Sequence, residues 1–81
     1  MNPLDQARTL LADALDADLA TVPADARIGR FERWDSLVHV RLILSLEQRL
    51  GRLLDPDEAV AIESLEDVAR LLNGSENRAR S

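Results

Sequence analysis

The sequence has no cysteine, no tyrosine and no lysine, and only one tryptophan, one phenylalanine and one histidine among its 81 residues. Without cysteine it has neither a disulfide framework nor a thiolate metal site, and it cannot form a thioester on a side chain of its own. A single histidine leaves little acid–base equipment for catalysis. Glycine is scarce, at three residues, and no Gly-rich phosphate loop, repeat or low-complexity tract occurs. No apolar stretch is long enough to cross a bilayer, and no basic segment leads into an apolar run. A cytoplasmic chain without membrane insertion is therefore expected. Positive charge is in the minority, with ten arginines against fifteen acids and a formal charge of −5. Nucleic acid is not an expected partner, since it needs a positive footprint, whereas proteins bearing basic patches suit an acidic surface.

What is plentiful is leucine, at fifteen residues. A chain this short buries only about 60–65% of its unfolded surface. Its length suits one Leu-dense domain, expected over 1–74, with a polar tail at 75–81 that has nothing to bury and is expected to be disordered.

Asn2 is a good N-cap, Pro3 suits the first helical position, and Leu4, Ala7, Leu11, Ala14 and Leu15 recur at helical spacing. A first helix is predicted from Pro3 to Asp16. From Asp18 to Trp34 the pattern lapses, with Pro23 and Gly29 as breakers. Leu19, Val22, Ile28, Phe31 and Trp34 are spaced to pin an ordered loop against the helices. A second helix starts at Asp35 or Ser36 and stops at Gly51. Its wheel puts Val38, Arg41, Ser45, Gln48, Arg49 and Arg52 on one stripe. Leu37, Val40, Leu42, Ile43, Leu44, Leu46 and Leu50 fill the remaining arc, which predicts a central helix touching several others. Asp55-Pro56-Asp57-Glu58 opens a short third helix with an apolar side of Ala59, Val60 and Ile62. Ser64 caps a fourth, which Asn73-Gly74 ends. The expected fold is all-α, a four-helix bundle of three main helices and a short third, with a long loop between the first two.

The informative stretch is Trp34-Asp35-Ser36-Leu37. With Asp35 as the cap, Ser36 becomes the first helical residue and its hydroxyl points outward. The partial positive charge and free N–H groups of the helix start favour a phosphate there. Taken alone, the tetrapeptide could simply start a helix. Its place near the middle of a short, acidic, helical chain, after a long loop and before the most apolar helix, resembles the acyl carrier protein family. The likeness runs from Pro3 to Leu72. It rests on Trp34-Asp35-Ser36-Leu37 with Val40, Leu42, Leu46 and Glu47 after it, and on the helix starts at Leu54-Asp55-Pro56-Asp57 and Ser64-Leu65.

The resemblance, to the free-standing bacterial type of carrier, implies a non-catalytic protein. Its Ser36, flanked by Asp35 and Leu37, would be esterified with 4′-phosphopantetheine by a transferase that uses coenzyme A. It also implies a loading ligase for acyl or aminoacyl groups, synthase or acyltransferase partners, and a monomer. The acyl chain could fold between helices against Val40, Ile43, Leu46, Ile62 and Val68. Fatty-acid carriers usually have an acidic second helix. Here Val38, Arg41, Ser45 and Arg49 form the candidate recognition stripe, and only Glu47 is acidic. This departure points to a specialised pathway of fatty-acid, polyketide or aminoacyl type. The alternatives are a peptidyl carrier of a nonribosomal-type pathway or an unmodified interaction module. A Ser36–His39–Asp35 hydrolase lacks a nucleophile elbow and an oxyanion-hole segment. Neither an EF-hand loop nor a ligand cluster suggests a metal.

Overall fold

The computed structural model describes residues 2–80, with side chains described over 2–74. It contains four α-helices in the expected order: α1 (Pro3–Leu15), α2 (Ser36–Leu50), α3 (Pro56–Ala61) and α4 (Leu65–Arg80). Local chemistry fixes most of their ends. Asn2 Oδ1 accepts from the Asp5 amide at 2.9 Å, and α1 ends where Asp16 turns left-handed at φ 55°. Asp35 Oδ1 accepts from the Val38 amide at 2.9 Å, and Gly51, at φ 74°, closes α2. That left-handed turn costs a glycine no Cβ clash. The Asp55 amide donates to Glu58 Oε1 at the start of α3.

At the start of α4, Asp67 Oδ2 accepts from the amides of Glu63 and Ser64 and from the Ser64 hydroxyl, while the Asp67 amide reaches back to Ser64 Oγ. Burial alone would raise the Asp67 carboxyl, but these donors and the Arg70 guanidinium outweigh it and hold its pKa below the ordinary value.

α4 does not stop at Asn73-Gly74. Gly74 is not one of the positive-φ glycines, so the residue expected to turn the chain stays helical. The expected disordered tail at 75–81 lies outside the residues described with side chains.

α1 packs against both α4 and α2, so α1 rather than α2 holds the middle position. The core joins Ala7, Leu11 and Ala14 of α1 to Leu42 and Leu46 of α2, Ile62 after α3, and Leu65, Val68 and Leu72 of α4. The long loop is ordered, though not by all its expected pins. Val22 and Trp34 are buried and Phe31 is half-buried, but Leu19 and Ile28 are exposed. Backbone pairing and one arginine do the rest. The Ile28 amide donates to the Glu63 carbonyl at 2.8 Å, the Leu65 amide to the Ala26 carbonyl at 3.3 Å, and Arg8 holds the Val22 carbonyl through two nitrogens. A 3₁₀ turn at Leu19–Thr21 fills the loop's first part.

Candidate functional site

Ser36 is the first residue of α2, where the long loop meets the helix. It is exposed, and its hydroxyl makes no hydrogen bond among the described residues. Asp35 occupies the cap position and satisfies the Val38 amide, and the His39 amide closes the first helical turn on the Asp35 carbonyl. The Ser36 and Leu37 amides come before any helical acceptor, so they remain free donors at the positive end of the helix. An open, mainly apolar groove of about 480 Å³ adjoins the hydroxyl, lined by Ile28, Trp34, Asp35, Ser36, His39 and Val40.

His39 is half-buried behind this groove. The Trp34 indole N–H donates to His39 Nδ1 at 3.1 Å, and His39 Nε2 lies 3.1 Å from the Ala59 carbonyl. An indole N–H only donates and a carbonyl only accepts, so the pair fixes the neutral tautomer with the proton on Nε2. The two rings meet edge to edge through this bond, their planes 27° apart and their centroids 6.1 Å apart. Both nitrogens are therefore committed to joining the loop end, α2 and α3. Neither is left to take a proton from Ser36, and the arrangement is unlike a serine nucleophile with its base. Trp34 and His39 were visible in the sequence, but their partnership depends on a carbonyl twenty residues away.

Three curated proteins match nearly the whole chain. Acyl carrier protein 3 of Ralstonia nicotianae is 28% identical over 72 residues, covering 89% of this chain and 83% of that protein. The acyl carrier protein of Thermosynechococcus vestitus is 30% identical over 70 residues, 86% of each. The polyketide-8 synthase acyl carrier protein 2 of Streptomyces avermitilis is 37% identical over 68 residues, 84% of this chain and 78% of that one. The chain belongs to the acyl carrier protein family. No family model matches it.

In this member of the acyl carrier protein family, α2 is turned about its axis relative to the sequence reading. Val38, expected on the outward stripe, is buried at 8% exposure and packs in the core with Leu42 and Leu46. Val40, expected to line an interior space, is 55% exposed and borders the open groove by Ser36. Leu37 and Leu44 are likewise outside, at 60% and 56%. The arc of leucine and valine covers so much of the helix that hydrophobicity alone fits several rotations. Packing against α1 selects the one that buries the 38–42–46 row.

The other predicted residues divide by place. Arg41 is exposed, Ser45 is half-buried, and Arg49 is exposed but donates to Gln6 Oε1 of α1 at 3.1 Å. Ile43 is half-buried; Leu46, Ile62 and Val68 are core. Ile62 also borders a second apolar groove of about 250 Å³ with Ala61 and Leu71. Val60, expected on the apolar side of α3, is exposed instead. Among the described residues, no helix is long and apolar enough to cross a membrane, and no three His, Cys, Asp or Glu side chains gather as a metal site.

Proposed function

We propose that this chain is a non-catalytic carrier holding acyl groups as thioesters on a 4′-phosphopantetheine arm attached to Ser36. The observation that carries the reading is the Ser36 hydroxyl: exposed, unbonded, at the first position of α2, between two free amides and a groove. These features fit the group. A phosphodiester on Oγ would sit at the positive helix end beside the Ser36 and Leu37 amides. Ile28, Trp34 and Val40 offer apolar surface to the arm that follows. When attached, the arm supplies the thiol that a cysteine-free chain lacks.

The partners of this reading are a phosphopantetheinyl transferase, a loading ligase, and synthase or acyltransferase enzymes. The chain would meet them as a cytoplasmic monomer, through a domain spanning 1–74. We assign the pathway to specialised biosynthesis, of polyketide or aminoacyl type, instead of bulk fatty-acid synthesis. The arginines of α2 support this, as does the likeness to a protein named as a polyketide synthase carrier.

Incubation with coenzyme A, magnesium and a broad-specificity transferase, followed by intact mass measurement, tests the attachment. The expected result is a gain of one phosphopantetheine that Ser36→Ala abolishes. No gain with both the broad and the cognate transferase would leave an unmodified interaction module as the better account.

A further inference from the structure

We infer that His39 is a proton-sensitive latch across the start of α2. Neutral, it holds Trp34 and braces the turn that carries Ser36; protonated, it lets Trp34 go. The latch is a property of the fold and does not depend on what Ser36 bears.

The Trp34–His39 bond joins the residue two before Ser36 to the residue three after it, so it spans the loop-to-helix turn on which the hydroxyl stands. Its direction is fixed. The indole N–H donates to Nδ1 at 3.1 Å, while Nε2 faces the Ala59 carbonyl at 3.1 Å and keeps its proton. A second proton can enter only at Nδ1, where it meets the indole N–H head on. An imidazolium has two donors and no acceptor, so the charged ring and the Trp34 bond exclude each other. Trp34 is only 2% exposed, which keeps water from replacing the lost acceptor, so the indole must shift or leave its N–H unsatisfied. The proton on Nε2 meanwhile keeps the ring on Ala59, so the release falls on the loop end and not on α3.

The charged groups on the elements around the ring are engaged elsewhere or stand in solvent. Asp35 lines the same groove, and its carboxylate accepts from the Val38 amide. On α3, the Arg52 guanidinium holds Glu58 through two bonds, and Asp57 is exposed. Arg41 of α2 is exposed. In the loop, Arg27, next to Ile28 of the groove, faces Glu63. The linkage then has one sign. Opening the latch takes up one proton, so acid favours the open form and base the closed one. The ratio of open to closed can rise by at most about tenfold for each unit of pH removed while an imidazole titrates.

One tryptophan and one histidine give one indole and one imidazole to follow, so the unaltered chain is the first test. The ¹⁵N-labelled full chain, before any loading at Ser36, is titrated by NMR from about pH 8 to about pH 5, the range in which imidazoles change charge. At the upper end Nδ1 should be the unprotonated nitrogen. On acidification, the Trp34 indole signal and the amides of residues 35–40 should move on the same curve as the His39 ring, with the helical circular dichroism unchanged. His39→Asn, which offers an oxygen near the Nδ1 position but takes no proton, should remove the step from the indole signal. Asp35→Asn, which still caps the helix, should leave it. By reciprocity, Trp34→Phe removes the donor and should let His39 take its proton at a higher pH. A ring that titrates while the indole signal stays fixed would overturn the inference, as would an indole that moves on a different curve or no change in either group. So would a step that survives His39→Asn, one that is lost with Asp35→Asn, or one that coincides with loss of helix.

Discussion

Replacing Val38 and Val40 separately by alanine tests the rotation of α2 directly, because both changes delete the same two methyl groups from the same helix. Val38 is 8% exposed and Val40 is 55% exposed. Each buried methyl group is worth about 0.8 kcal/mol, so Val38→Ala forfeits about 1.6 kcal/mol of transfer energy. The cavity left against Leu42 and Leu46 raises the cost to about 2–2.5 kcal/mol. At Val40 less than half of that transfer energy is at stake, about 0.7 kcal/mol. Alanine's better helix propensity returns about 0.5 kcal/mol at either position, so it cancels from the comparison. The expected difference between the variants is about 1.3–1.8 kcal/mol, or about 5–14 °C in Tm for a domain of this size. A small domain of total stability about 4–12 kcal/mol survives either change, so both variants can be measured by urea unfolding followed by far-UV circular dichroism. Equal losses, or a greater loss for Val40→Ala, would refute the placement of the 38–42–46 row in the core.

Two further outcomes follow from polar contacts. His39→Ala leaves the buried Trp34 indole N–H without its acceptor and frees the Ala59 carbonyl. A loss of about 1–3 kcal/mol is expected, with faster amide exchange through α3 and altered Trp34 emission; unchanged exchange and emission would refute the latch. Asp67 has a folded pKa below its unfolded value of about 3.9, so the unfolded state binds more protons in the window between them. Its stabilising contribution is present above that unfolded value and is lost as pH falls through the folded one. Asp67→Asn should therefore flatten the acid limb of the stability–pH curve, and an unchanged limb would show that the cap does not titrate as described.

The sequence made helix ends legible and helix rotation illegible, for one physical reason. A cap is decided within three or four residues, and Asn2, Asp35 and Gly51 each work through partners that close in the chain. That locality also makes Ser36 readable as the first residue of α2, since its exposure follows from Asp35 taking the cap. Rotation is decided by what lies across the core. On α2, the apolar arc exceeds the face that α1 can cover, so the surplus must be left outside, and composition does not say which part. The pairing of the loop with the start of α4 runs through the main chain of Ala26, Ile28, Glu63 and Leu65, so no side-chain pattern announces it. The Gly74 expectation failed for a related reason: glycine permits a left-handed stop without enforcing one, and here the helix continues. The surplus apolar arc then acquires a meaning that the wheel alone could not give. Burying Val38 is what puts Leu37, Val40 and Leu44 outside, so the choice that completes the core also leaves an apolar row exposed on the helix that Ser36 begins. A substitution that rotated α2 back toward its sequence-expected face would have to unmake both together.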